Sequence, residues 1–89
     1  MARLLVQQSV KDFSVWKEGF MKGAELRSSF GARSEQIFQD SSMPEKVTVL
    51  LELDSLEQAR RFAESHELKE AMEKSGVVGT PSLSFLKEV

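Results

Sequence analysis

The chain has no cysteine and no tyrosine, and only one histidine, one tryptophan and two prolines in 89 residues. Without cysteine there are no disulfides, no thiolate metal ligands and no thiol nucleophiles. A single histidine excludes a two-histidine metal site within one chain, and neither a metal nor another cofactor is expected. An excess of one charge is missing too: 12 Lys and Arg stand against 14 Asp and Glu, a net charge of −2. Nucleic-acid binding needs a basic face and is not expected. Long apolar runs are absent. The densest, Val47-Thr48-Val49-Leu50-Leu51, falls far short of the roughly 20 residues that span a bilayer, so no membrane partner is expected. Met1-Ala2-Arg3-Leu4-Leu5-Val6 offers three apolar residues in a row, against the roughly 7–15 of a signal peptide; a cytoplasmic protein is the expectation. What is present, 40% apolar and 29% charged residues, is a globular mixture forming one domain over 1–89.

Residues 3–9 read as a strand. Asp12 stands where a helix N-cap belongs, and Phe13, Trp16, Phe20, Gly23, Ala24, Arg27 and Phe30 follow within one arc of a helical wheel. Glu18 and Lys22 make an i,i+4 pair, and Gly31 is the stop. Residues 32–40 form a weaker strand. A turn through Pro44 leads to the clearest strand, 46–53, with Val47, Val49, Leu51 and Leu53 on one face. The short turn makes these two an antiparallel hairpin. Ser55-Leu56-Glu57-Gln58 has the form of a capping box, and Leu56, Ala59, Phe62 and Ala63 form the apolar side of a second helix. Ser65-His66-Glu67-Leu68 restarts or bends it, with Leu68, Ala71 and Met72 following. Glu57 with Arg61 and Glu70 with Lys74 are further i,i+4 pairs. Gly76 ends the segment, residues 77–81 read as a loop, and 82–88 as the last strand. The order β-α-β-β-α-β predicts a ferredoxin-like α+β fold: a four-stranded antiparallel sheet with both helices on one face.

The face without helices should be polar in a protein that stands alone. Leu4/Leu5, Leu50/Leu51 and Phe85/Leu86 instead put an apolar residue on both faces of three strands. Each large aliphatic side chain left in water forgoes roughly 1.5–3 kcal/mol, and a cluster of them marks an interface. A twofold homodimer, sheet against sheet, is therefore expected.

Gln8-Ser9-Val10-Lys11-Asp12-Phe13-Ser14-Val15-Trp16 is similar to the H-x-V-x-D-[FY]-x-x-W opening of the dimeric α/β-barrel proteins, relatives of the antibiotic-biosynthesis monooxygenases. Glu52-Leu53-Asp54-Ser55-Leu56-Glu57-Gln58-Ala59 with Phe62 resembles their E-W-D-S-x-E-x-A-x-x-F segment. Ser65-His66-Glu67-Leu68, Ala71-Met72, Gly76-Val77 and Pro81 extend the likeness over nearly the whole chain. Gln8 replaces the opening histidine and Leu53 the tryptophan. The resemblance implies a dimeric α/β barrel and a pocket between each sheet and its helices. It also implies chemistry of the kind found in cofactor-free oxygenases, isomerases and cyclases.

Within that frame, Trp16 and Phe20 are candidate walls for a flat ligand; Trp16 is also a candidate catalytic residue, steering oxygen chemistry on that ligand, or else a core aromatic whose indole N–H needs a partner. His66 is the candidate acid or base, although a helix starting at Ser65 turns it into water. Gln8 and Glu52 are expected to face away from the helices, as a polar ligand site or a mutually satisfied pair at the dimer seam. Arg27 could grip a ligand carboxylate or lie along the helix end. The function expected is binding, with or without oxidation, cyclisation or isomerisation, of a small apolar or aromatic molecule. The alternative is a non-catalytic oligomerisation or ligand-sensing module. An open cavity of roughly 300 Å³ or more beside Trp16 would favour the ligand site.

Overall fold

The computed structural model describes all of residues 1–89. In chain order the elements are β1 (Ala2–Val10), α1 (Phe13–Lys22), α2 (Ala24–Ser29), β2 (Ala32–Gln39), β3 (Lys46–Leu53), α3 (Leu56–Glu64), α4 (His66–Lys74) and β4 (Val77–Leu86). The strands form one antiparallel sheet in the order β2-β3-β1-β4, which is the ferredoxin-like topology. Each of the two expected helical segments is divided, the first at Gly23 and the second at Ser65. No helix is long and apolar enough to cross a membrane.

Local capping places the helices. Asp12 Oδ1 accepts the Val15 N–H at 3.1 Å and starts α1. Ser55 Oγ accepts the Gln58 N–H at 3.1 Å and starts α3. The return contact of this cap runs from the Ser55 hydroxyl to Gln58 Oε1 at 3.2 Å, rather than from the Ser55 amide. Ser65 acts at both ends of a corner: its hydroxyl donates to the Phe62 carbonyl at 2.7 Å and its Oγ accepts the Leu68 N–H at 3.1 Å. Ser65→Ala removes both bonds, and should lower stability by about 1–2 kcal/mol. Urea unfolding of Ser65→Ala beside Ser65→Asp, which keeps the cap acceptor, measures it.

The core lies between the sheet and the helices. Leu4 and Val6 of β1 stand opposite Leu51 and Val49 of β3, and these four are buried with Val47, Leu53, Trp16, Ala59 and Phe62. Leu56 was expected on this side and is exposed, at the first position of α3. Gly31, with φ +88°, carries the chain from α2 into β2. The positive φ is what requires glycine; a Cβ there would displace only the end of the Gln58 side chain. Arg33 at the start of β2 pairs with Asp54. The hydrogen bond that the guanidinium donates to that carboxylate, reinforced by the carboxylate's charge, raises the guanidinium pKa above its ordinary value.

Two local readings change. Residues 77–81 are not a loop but the first half of β4. The strand pairs as Ser9 with Val78 and Gln7 with Ser82, so Gly79, Thr80 and Pro81 bulge opposite the single residue Gln8. A glycine at φ +72° and a proline without an N–H disguise a strand that is interrupted in this way. Of the expected i,i+4 pairs, Glu18–Lys22 and Glu57–Arg61 form at 3.3 and 2.7 Å, but Glu70 meets His66 at 3.2 Å rather than Lys74.

Candidate functional site

The side chains that α1, α4 and the sheet turn toward one another leave a small cavity. Trp16 is 2% exposed, its ring stacked on Phe20 at 5.1 Å and tilted against Phe13 at 5.8 Å. Val6, Val49, Leu51 and Phe62 complete an apolar wall around a void of about 60 Å³. This is below the size sought from sequence. A cavity of roughly 150 Å³ binds benzene, so one ring enters here only if a wall yields.

Gln8 belongs to this cavity, contrary to expectation. Leu4, Val6, Gln8 and Val10 alternate along β1, and Gln8 stands opposite the buried Val47, so it turns toward the helices. Glu52 stands opposite Arg3, on the other side of the sheet. Its carboxylate meets the Arg3 guanidinium at 3.3 Å. Gln8 and Glu52 therefore form neither a joint ligand site nor a mutual pair. The doubled leucines at the start of β1 hid the parity; Val10, two residues beyond Gln8, carries the signal that reveals it. Gln8 Oε1 is the only buried side-chain polar atom in the protein without a hydrogen-bond partner.

Arg27, on the cavity wall, is 5% exposed. Its Nε and Nη2 donate to the two oxygens of Glu35 on β2 at 2.9 and 3.4 Å, and Nη1 donates to the Phe20 carbonyl at 2.7 Å. The guanidinium carbon also sits 3.7 Å above the Phe20 ring. The fork considered for a ligand carboxylate is occupied by one from the protein itself. Nothing in the weak strand 32–40 marks Glu35 as its partner, because the pair joins α2 to the edge of the sheet.

His66 opens α4 in water, its side chain 78% exposed. It borders a separate groove of about 510 Å³ between α4 and the β4 bulge, with Lys69, Thr80 and Pro81. Leu68 and Met72 line both this groove and the internal cavity. Trp16 and His66 are thus not brought to one site. Leu68, Met72 and Ser75 were not singled out from sequence as site residues; only the periodicity of α4 marked the first two. The Ser75 hydroxyl is satisfied by the Met72 carbonyl at 3.2 Å.

On the helix-free face, Leu5 stands opposite Leu50, Leu86 opposite Arg3 and Phe38 opposite Thr48. Leu5 and Leu50 are half-buried, while Phe38 and Leu86 are 50% and 42% exposed. The face is a mixed apolar strip bordered by the Arg3–Glu52 pair.

No family model matches the chain, and no curated protein matches it. Solved structures do. A candidate antibiotic biosynthesis monooxygenase from Bordetella bronchiseptica superposes with a TM-score of 0.83 at 12% identity, over 99% of this chain and 96% of that one. An antibiotic biosynthesis monooxygenase gives 0.74 at 10% identity, over 100% and 99%. SnoaB, a cofactor-independent oxygenase from Streptomyces nogalater, gives 0.79 at 8% identity, over 99% and 92%. At such identities the likeness is one of architecture: the chain has the ferredoxin-like α+β fold of the antibiotic biosynthesis monooxygenase structures.

Proposed function

We propose that this protein is a homodimer that binds a small, largely apolar molecule in the cavity between its sheet and helices. The observation that carries the reading is Gln8, which lines an apolar cavity bounded by Trp16 and whose buried carboxamide oxygen has no hydrogen-bond partner. A buried acceptor left unpaired costs about 1–3 kcal/mol, a loss that packing alone gives no reason to keep. Binding rather than catalysis is the function the geometry supports best. The cavity wall carries no carboxylate or imidazole, and the one histidine lies in the outer groove. Native mass spectrometry of protein purified from its own host tests both parts at once. A dimer mass with an added small molecule is the expected result, and a bare monomer would refute it.

The dimer reading rests on the apolar strip of the helix-free face, as a twofold contact of one sheet on the other. Leu50→Glu places a charge at its centre and should convert the protein to a monomer with unchanged circular dichroism. Light scattering after size exclusion reads the mass; a dimer that survives the charge would move the interface elsewhere.

A further inference from the structure

We infer that the internal cavity takes a single-ring, uncharged ligand with a hydrogen-bond donor, such as a phenol, which meets Gln8 Oε1 after passing Met72. This rests on the proposed ligand-binding reading and gives it a chemical class.

The donor follows from Gln8. A carboxamide oxygen accepts hydrogen bonds and cannot donate, so the group that satisfies it is an O–H or N–H. The absence of charge follows from Arg27. It is the only cation on the cavity wall, and Glu35 already holds its guanidinium at 2.9 Å. An anionic ligand would bring a second negative charge to that pair, and a cation would find no free carboxylate there.

The size follows from which walls can yield. The α1 wall is locked. A Cβ on Gly19 would come within 3.0 Å of the Ser75 Cβ, so α1 and α4 already touch at that point. A Cβ on Gly23 would come within 3.0 Å of Arg27 Nη1. The sheet wall is the core itself, with Leu51 2% exposed. Met72 and Leu68 are different, because they line both the inner space of about 60 Å³ and the outer groove of about 510 Å³. Methionine is unbranched and repacks readily. Turning the Met72 side chain outward adds the volume of that one side chain to the inner space. This suits one ring better than a fused system.

Phenol, toluene and benzoate serve as probes, titrated by calorimetry into the wild-type protein and into Met72→Ala, Gln8→Leu and Gln8→Met. The Trp16 indole N–H is followed by NMR. Phenol and toluene are expected to bind the wild type, and Met72→Ala more tightly, both shifting the indole signal, while benzoate does not bind. The phenol-to-toluene affinity ratio should fall roughly three- to tenfold in both Gln8 variants. The double ratio removes the intrinsic difference in hydration between the probes. A ratio unchanged in these variants, or benzoate binding more tightly than phenol, overturns the inference while leaving a binding cavity. No probe binding to either the wild type or Met72→Ala overturns it together with the proposed function. The Gln8 variants are kept interpretable by a second measurement, their urea unfolding. Removal of the orphan acceptor should leave them at least as stable as the wild type, and a weaker protein would show that the oxygen has a partner in solution.

Discussion

Trp16→Ala is expected to lose about 3–5 kcal/mol of unfolding free energy. A domain of this length is stable by about 5–13 kcal/mol, so the loss is a large fraction of the whole. The indole is 2% exposed, stacked on Phe20 and tilted against Phe13. Removing it deletes the apolar contact of three rings. The space it leaves merges with a void that is already about 60 Å³, and α1 cannot close over it because Gly19 is already in contact with Ser75. A site unable to collapse lies at the costly end of the range. Trp16→Phe retains the stack and should lose less than half as much. Urea unfolding at fixed protein concentration distinguishes the two. A loss under about 1 kcal/mol for alanine would mean that the indole does not belong to the core.

The features legible in sequence are those decided by neighbours in the chain. Val47, Val49, Leu51 and Leu53 alternate without ambiguity, and β3 is where they place it. Asp12, Ser55 and Ser65 cap helices through bonds to residues three positions on. The features missed are decided by distant parts of the chain. The division at Gly23 is a local exception: it lies inside an arc that reads as continuous, where the guanidinium of Arg27 crowds the space a side chain would take. The bulge of β4 depends on pairing with β1, about 70 residues away along the chain. Gln8 was assigned to the wrong face because Leu4 and Leu5 carry opposite parities; Val10 is the one local mark of the buried parity, and pairing with β3 fixes it. The polar content of the site was thus the least legible part. The spacing of Trp16 and Phe20 is written in one helix, whereas the partner of Arg27 and the isolation of Gln8 exist only after the sheet has formed.

The Arg27–Glu35 pair should respond unequally to the loss of its two members. Glu35→Gln keeps the shape but leaves a guanidinium that is 5% exposed without a counter-charge. Removing one partner of a fully buried pair costs about 3–5 kcal/mol. Glu35 is itself 35% exposed on its side chain, and water reaching that side screens part of the effect, so the expected loss is about 2–3 kcal/mol. Arg27→Met removes the other charge and fills most of the same space with an apolar chain. The carboxylate left behind turns to solvent at the sheet edge, and the Phe20 carbonyl keeps its bond from the Gly23 N–H at 3.0 Å. The contact over the Phe20 ring is lost, worth about 0.5–1 kcal/mol, and the net loss should be about 1 kcal/mol. The order Glu35→Gln worse than Arg27→Met, read from urea midpoints, is the decisive observation. Equal and small losses would mean that the pair behaves as a surface contact. Arg27 would then be free to bind a ligand anion, and the cavity's preference for an uncharged molecule would lose its basis.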